Sequence, residues 1–481
     1  MSARVRFAGP ILLALATIAA EGAGAEAAVQ PTIWFVDNSA AQPGDGSIDN
    51  PLVTLAEAER RSGPGEWIFI RSGDGSSHGL DTGIRLKSDQ TLLGEGVGLE
   101  IGTNPIAPGP APTITNPDGH GVVLADGCEV AGFNVTSTRG AGLFGAEVTD
   151  CRLRDLTITS TGGAGIELRD TGGLITLQRI RIDGTLGDGL DLVGHLGVAP
   201  ARIELSDCRM TEIGGDGVNA RLAGSTDTHL SLEGCGFVGI AGTATAVAVE
   251  DEAVLRFGLQ RSQVVGAGNG VALTVLDSGR LDYRIIDNTE FSGIENTIVN
   301  LFVDPDSTAA ARASGEISGN TEMAKQPGSG FGIRLSCNGD GSAVAVVRDN
   351  RIAGGVDADF GILAEARLGA ARLDLELVGN SVAVGADALE AIAIRSRDAA
   401  TVCARIEGNT AAAAGRSGLR LQQRGESTLA LVGLDSDGGG LALVEEFMAS
   451  ANPGVGGVKA TADAGFTRVP DGCLLSKETI Q

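Results

Sequence analysis

The sequence predicts an all-β fold: a parallel β-helix in which about 12 coils of short strands stack into a solenoid. Two observations predict it. A Gly-x-Gly turn followed by alternating apolar residues recurs about a dozen times, at steps of roughly 21 to roughly 35 residues. Within each copy the apolar residues alternate with a period of two, as in Leu190-Asp191-Leu192, which is typical of a strand with one face inward.

Each copy predicts one coil with three short strands. The first strand follows the glycine turn, the second lies in the middle of the copy, as at 174–177, and the third lies near its end. Glycine is 73 of 481 residues and proline only 15, which suits many tight corners. The residues predicted to open the first strands are Val122, Leu143, Ile166, Leu190, Val218, Val247, Val271, Ile298, Ile333, Ile362, Ile392 and Leu419.

A ladder of small or polar residues supports the same register. Equivalent residues on successive coils stack about 4.8 Å apart, and Asn can both donate to and accept from its copies above and below. We therefore expect one buried ladder just before the third strands. Its predicted members are Cys128, Cys151, Arg179, Cys208, Cys235, Ser262, Asn288, Asn320, Asn350, Asn380 and Asn409.

With these motifs the chain resembles the right-handed parallel β-helix, or pectin-lyase-like, superfamily. The resemblance covers roughly residues 80 to 435 and rests on the Asn ladder and the Gly-x-Gly-apolar turns. It implies a right-handed solenoid. It does not imply one activity, because this fold hosts lyases, hydrolases, tailspikes, adhesins and structural proteins.

The beginning of the chain predicts export. Residues 1–25 combine Arg4 and Arg6 with an apolar run and a small-residue site that ends at Ala25, the pattern of a secretory signal in an exported bacterial protein. No other apolar run reaches the roughly 20 residues needed to span a bilayer. We expect a periplasmic, extracellular or cell-surface protein with no transmembrane segment in the mature chain.

Two caps are predicted at the ends of the repeat domain, which we place at residues 80–435. Residues 26–79 contain a strand near Trp34 and a short helix capped near Thr54, and they resemble the N-terminal cap of secreted bacterial β-helix proteins. Residues 436–481 form the C-terminal cap and tail, with a helix expected near 443–449.

The net charge of the chain limits which classes of binding partner are expected. A formal net charge of −25 makes nucleic acid a poor partner, because nucleic acid rewards clustered Lys and Arg. A polysaccharide or a cell-surface component is the expected partner. No cofactor is expected apart from calcium, since the four His residues lack a metal-ligand spacing.

Seven cysteines in an exported chain raise the question of disulfides. Four of them lie on the predicted ladder, where a small buried side chain is suitable. Cys128 and Cys151 are expected to lie close enough there to cross-link. No partner is assigned to Cys337, Cys403 or Cys473.

Acidic residues gather at two consecutive glycine corners and on the strands that follow, over three coils. Asp188 and Asp216 align with His120 in the middle of Gly-x-Gly turns, so we expect their backbones to lie one strand spacing apart. Two carboxylates that close share either a proton or a cation. Asp191 lies outward on the same strands, as do Glu167 and Asn219.

This cluster defines the candidate site. Asp188, Asp216 and Asp191 are the candidate catalytic residues, since paired carboxylates carry out glycoside hydrolysis. Glu167 and Asn219 are candidate ligand-binding residues, and Asp188 with Asp216 could hold calcium. The alternative is that Gly-Asp-Gly is only a turn in which Asp caps backbone amides.

A lyase would also need a base. Arg169, Arg202 and Arg221 lie near the cluster in sequence, but nothing selects one of them to take the sugar proton. Gly119-His120-Gly121 is similar to one motif of polygalacturonase-like hydrolases, whose other motifs are missing here. With one Tyr and two Trp, the chain also has few side chains that stack on sugars.

Two functional hypotheses follow. The first is a non-catalytic binding or adhesion scaffold of the cell envelope or extracellular space. The second is a polysaccharide lyase or glycoside hydrolase, with or without calcium, at the acidic face. The first is favoured, because a working active site should leave a clearer trace than two turn aspartates.

Overall fold

Parallel strands stacked in three columns make up almost all of the structure. The computed structural model describes residues 31–100, 105–195, 199–353, 359–385, 387–413, 417–434, 440–469 and 473. The predicted signal at residues 1–25 lies outside these ranges, as do residues 470–472 and 474–481 at the end of the predicted tail. The described chain is an all-β parallel solenoid of about 12 turns, as predicted from the sequence.

The strands are bounded as follows. The N-terminal half contains β1 Ile33–Val36, β2 Trp67–Ile70, β3 Ile84–Arg85, β4 Thr91–Gly94, β5 Thr113–Asn116, β6 Val122–Val123, β7 Glu129–Ala131, β8 Asn134–Thr138, β9 Leu143–Ala146, β10 Arg152–Arg154, β11 Thr157–Thr159, β12 Ile166–Arg169, β13 Gly173–Gln178, β14 Arg181–Asp183, β15 Leu190–Gly194, β16 Ala201–Ser206, β17 Arg209–Ile213, β18 Val218–Leu222, β19 Asp227–Glu233 and β20 Gly236–Val249. The C-terminal half contains β21 Val254–Gln260, β22 Gln263–Val275, β23 Arg280–Ile286, β24 Glu290–Ile294, β25 Thr297–Val303, β26 Arg312–Ser318, β27 Met323–Lys325, β28 Phe331–Asn338, β29 Ser342–Arg348, β30 Arg351–Ala353, β31 Phe360–Arg367, β32 Arg372–Val378, β33 Ser381–Val384, β34 Glu390–Ser396, β35 Thr401–Glu407, β36 Thr410–Ala413, β37 Leu419–Gln423, β38 Thr428–Val432, β39 Gly454–Val455, β40 Val458–Ala462 and β41 Thr467–Val469.

Each coil contributes one strand to each column. The first column follows the glycine turns and runs β3-β6-β9-β12-β15-β18-β20-β22-β25-β28-β31-β34-β37-β40. The second is a 16-stranded sheet that runs from β1 and β2 through β4 and β7 to β41. The third column consists mostly of short strands from β5 to β39, and it joins the first where β20 and β22 run through both.

The interior is a continuous aliphatic core. On β15, Leu190 and Leu192 are buried while Asp191 between them is half-buried on the outer face, as the period of two predicts. Tyr283 is fully buried, and a Cβ on its neighbour Gly315 would lie 2.6 Å from the Tyr283 ring. A glycine is therefore needed beside the Tyr283 ring in the second column.

Ten of the twelve predicted strand openings lie in register, and two do not. Val218 pairs with Thr245, so Val247 lies two residues too far along β20. Thr245 is fully buried and points inward. Because threonine carries a hydroxyl, a search for alternating apolar residues does not recognise it as an inward position. Val299, not Ile298, pairs with Val271 and Ile333, because Ile298 takes the place of the turn glycine.

The Asn ladder forms just before the third-column strands. Asn350 Nδ2 donates to Asn380 Oδ1 at 3.0 Å and to the Ile317 carbonyl at 2.8 Å, while its Oδ1 accepts from Asn320 Nδ2 at 2.7 Å. The same pattern runs from Asn288 through Asn409 and ends on Asn452, which the sequence pattern missed.

Three predicted ladder members are wrong. Cys128 and Cys151 precede second-column strands, β7 and β10, at a different corner of the coil. Arg179 is one residue off, because Arg181 pairs with Arg209 and so Ile180 is equivalent to Cys208. The three corners of a coil have similar sequences, and a small buried residue suits more than one of them.

Both predicted caps contain the expected elements. The helix α1, Leu55–Arg61, begins at Thr54, whose hydroxyl accepts from the Glu57 backbone N–H at 3.2 Å. A C-terminal helix, α2 (Leu441–Ala451), buries Val444 and Met448, and it leads into Asn452 at the end of the ladder. The N-terminal segment also adds β1 and β2 to the second column, so it continues the stack.

The structure pairs two of the three unassigned cysteines. Cys403 and Cys473 form a disulfide across 70 residues. Cys128 and Cys151 are free, although their Sγ atoms lie 3.3 Å apart as neighbouring coils predict. Burial raises the pKa of Cys337, which is also free, to about 12.

None of the helices in the described ranges is long and apolar enough to cross a membrane.

Replacement of Asn350 by Ala should destabilise the solenoid strongly. The change leaves donors of Asn320 and the Ile317 carbonyl buried without their partner, at a cost of about 3 kcal/mol or more. Urea unfolding followed by circular dichroism measures the loss. Asn134, whose amide makes only long contacts of 3.4 and 3.5 Å, is the control. A loss for Asn350→Ala no larger than that for Asn134→Ala would contradict a structural ladder.

Candidate functional site

Four outward side chains of the first column form a continuous row, which we call the outward ladder: Phe144, Glu167, Asp191 and Asn219. They lie on β9, β12, β15 and β18, and the strand register pairs each with the next. All four are half-buried. Since paired residues of adjacent strands lie about 4.8 Å apart, their functional groups project side by side.

Arginines neutralise the two carboxylates of the ladder. Arg169, two residues after Glu167, forms an ion pair with it. Arg221 occupies the equivalent position on β18 and lies 3.1 Å from an oxygen of Asp191. Both guanidinium groups are about half exposed, so each pair keeps its geometry while solvent weakens its energy. The arrangement lets two like charges stack on adjacent coils.

Burial raises the pKa of Asp191 above its ordinary value of 3.8. The nearby carboxylates of Asp188 and Glu167 raise this pKa further, while Arg221 and Arg169 oppose them. Asp191 therefore holds its proton more readily than an exposed aspartate does. It is the ladder residue whose environment best suits the donation of a proton or of a hydrogen bond.

Asp188 and Asp216 lie in successive glycine turns, as predicted, but they do not face each other as a bare pair. Asp188 Oδ1 accepts from the Asp216 backbone N–H at 2.7 Å, and its Oδ2 accepts from Asn219 Nδ2 at 2.9 Å. Asp216 Oδ1 accepts in turn from the Thr243 backbone N–H at 2.6 Å. Both aspartates cap the turn of the next coil, which is the turn role considered as the alternative.

This geometry bears on the expected calcium ion. Both oxygens of Asp188 already accept hydrogen bonds, so a cation would have to displace Asn219 or a backbone donor. Across the described ranges, no group of three or more His, Cys, Asp or Glu residues is placed to hold a metal ion. The acidic corner is explained by hydrogen bonding to the backbone and to Asn219.

An aromatic surface, which was not predicted from the sequence, lies beside the acidic residues of the outward ladder. The His120 ring stacks on the Phe144 ring with centroids 4.5 Å apart and planes at 17°. Arg169 lies over Phe144 at 5.7 Å, and His120 Nδ1 accepts from the Ala141 backbone N–H at 3.0 Å. Burial lowers the pKa of His120, which favours the neutral ring. The signal was available, because alternation after Leu143 places Phe144 outward.

The other arginine considered from the sequence lies elsewhere. Arg202 is on β16 in the second column, where it pairs with Glu204 at 2.5 Å. The site therefore combines a stacked ring pair, two arginine-paired carboxylates and an amide on five consecutive coils. Such a surface can place apolar ring atoms against a ligand and accept hydrogen bonds from its hydroxyl groups.

Comparisons with known proteins do not assign the chain to a family. No protein-family model matches it, and no curated protein matches its sequence. Among solved structures, it is similar to the GH136 lacto-N-biosidase from Eubacterium ramulus, native protein, with 10% identity and a TM-score of 0.32 over 83% of this chain and 68% of that chain. The selenomethionine derivative has the same identity and coverage and a TM-score of 0.35. These scores are too low to carry an argument about function.

Replacement of Asp216 by Asn should change how stability depends on pH. Burial raises the folded pKa of Asp216 above 3.8, so the wild type loses stability as the pH rises through and above that value. The Asp216→Asn variant still accepts from Thr243 and lacks this loss. Urea unfolding at about pH 3 and about pH 7 should show the variant gaining on the wild type with rising pH. If the stability of the variant relative to the wild type falls as the pH rises, the raised pKa of Asp216 is contradicted.

Asp188→Asn should lower the stability of the protein at neutral pH. An amide offers one oxygen to the two donors that the Asp188 carboxylate accepts, so the variant should lose about 1–3 kcal/mol of stability. The same urea experiment measures it. Stability equal to that of the wild type would argue against the turn-capping role.

Proposed function

We propose that the protein is an exported β-solenoid that binds a carbohydrate on the outward ladder. The observation that carries the proposal is the register itself, which sets the ring of Phe144 beside Glu167, Asp191 and Asn219. Carboxylates and amides accept hydrogen bonds from sugar hydroxyls. The Phe144 ring, which packs between His120 and Arg169, offers an apolar edge for the C–H groups of a sugar ring. Flanking arginines fix the carboxylates before a ligand arrives.

Export is part of the same proposal. It is supported by the signal pattern at residues 1–25 and by the Cys403–Cys473 disulfide, since disulfides persist in oxidising compartments. The net charge of −25 also disfavours binding to nucleic acid. We place the protein in the cell envelope or the extracellular space as a binding scaffold.

A glycoside hydrolase is the second candidate function, and two observations on the ladder favour it. Glu167 and Asp191 are register partners on adjacent strands, so their carboxyl groups are expected about 5 Å apart, the separation of retaining glycosidases. The pKa of Asp191 is raised, as a general acid requires. Asp191 would then act as the acid and Glu167 as the nucleophile. The calcium-dependent lyase has no such support.

Loss of the Phe144 ring or of the Glu167 carboxylate should weaken carbohydrate binding. On a glycan array, the mature chain should select a set of glycans, and titration calorimetry on the best of them should show at least about tenfold weaker binding for Phe144→Ala and for Glu167→Gln. Both changes remove a direct contact with the sugar in this proposal.

Two matched variants control for general effects. Phe331 is a half-buried outward ring with Arg334 at 5.1 Å, and Glu407 pairs with Arg405 two residues away at 3.0 Å. Phe331→Ala and Glu407→Gln should bind as the wild type does. If all four variants bind equally, the outward ladder is not the binding site.

The same glycans separate the binding scaffold from the hydrolase. The glycoside hydrolase is established if the wild type releases reducing ends with retained anomeric configuration. Both Glu167→Gln and Asp191→Asn should then abolish that release. Glycan binding without any released product would support the non-catalytic binding scaffold.

A further inference from the structure

A hollow lies on the outer face of the second column, away from the outward ladder. It spans β10, β13, β16 and β19, and its walls include Arg152, Arg154 and Arg202. None of these side chains belongs to the outward ladder. The hollow is therefore a separate feature of the molecular surface.

The strand register explains why a flat sheet has a hollow here. The row of outward residues through Arg152 continues with Thr176, Glu204 and Ser231. A second row runs from Arg154 through Ser206. Short hydroxyl side chains thus lie between long charged ones on neighbouring coils. The floor offers hydroxyl groups, and the walls offer guanidinium groups.

Nearly every charge around the hollow has a partner. Arg154 lies 2.9 Å from Glu129, Arg202 lies 2.5 Å from Glu204, and Glu233 forms an ion pair with Arg261. Glu129 is the register neighbour of Arg152, yet it turns to Arg154. Within the described ranges, Arg152 has neither an ion pair nor a side-chain hydrogen bond, and it is exposed.

An unpaired arginine over a hydroxyl-lined floor is a specific combination. The acids at the rim are neutralised, so the hollow presents a local positive charge on a chain with a net charge of −25. A guanidinium group binds a carboxylate through two parallel hydrogen bonds. Hydroxyl side chains such as Thr176, Ser206 and Ser231 can exchange hydrogen bonds with sugar hydroxyls.

We propose that this hollow binds a carboxylate-bearing saccharide, with Arg152 as the group that holds the carboxylate. The proposal needs no ligand on the outward ladder, because the two surfaces lie on different columns. If both bind, one solenoid engages acidic and neutral sugars on separate faces.

Two probes that differ only at the carboxylate test the proposal. The β-1,4-linked glucuronate tetramer and cellotetraose have the same backbone, and only the first carries carboxylates. Titration calorimetry on the mature protein at low salt should give at least about tenfold tighter binding of the glucuronate tetramer, and added salt should weaken it. Arg152→Gln should remove at least about tenfold of that affinity.

Arg284 provides the matched control. It is an exposed arginine in the same outward row, two strands beyond Ser231, on β23. Arg284→Gln should bind the glucuronate tetramer as the wild type does. The proposal is overturned if neither probe binds, if both bind equally, or if Arg152→Gln and Arg284→Gln lose the same affinity. Far-UV circular dichroism confirms that each variant is folded.

Discussion

In-register stacking of parallel coils is the constraint on which the rest of this structure depends. A coil of three short strands cannot bury its own interior, so each coil relies on the coils above and below it. Stacking repeats each position of the coil about every 4.8 Å. Inward positions then become aliphatic stacks, and one buried polar position becomes the Asn ladder that ends on Asn452.

The same constraint builds the surface. Outward residues that are far apart in sequence become neighbours, so a site arises from equivalent positions on consecutive coils and not from one loop. Like charges are then brought together, and arginines offset them: Arg169 lies two residues after Glu167, and Arg221 on the coil after Asp191 pairs with Asp191. At the glycine corners, Asp188 and Asp216 bond to backbone N–H groups of the next coil instead. Function on such a scaffold depends on which outward rows combine.

The sequence predicted the coils, most of the register and the proximity of the acidic residues, because period-two alternation and glycine turns are local signals. It missed Val299 and Thr245 as strand openings, since Ile298 occupies a glycine position and Thr245 is a buried hydroxyl. Contacts between coils were harder to predict. Local alternation places Phe144 outward, but its stacking on His120 also depends on the register between two coils. The Cys403–Cys473 disulfide joins residues 70 positions apart, which no local pattern relates.

Glu167 and Asp191 form one coupled site through the register of β12 and β15. A direct measurement is the pKa of the Asp191 carboxyl by ¹³C NMR, in the wild type and in the Glu167→Gln variant. We expect a wild-type pKa above 3.8 that falls when the Glu167 charge is removed, because that carboxylate raises it. A pKa that does not respond to Glu167→Gln would contradict the coupling, and with it the proposed site.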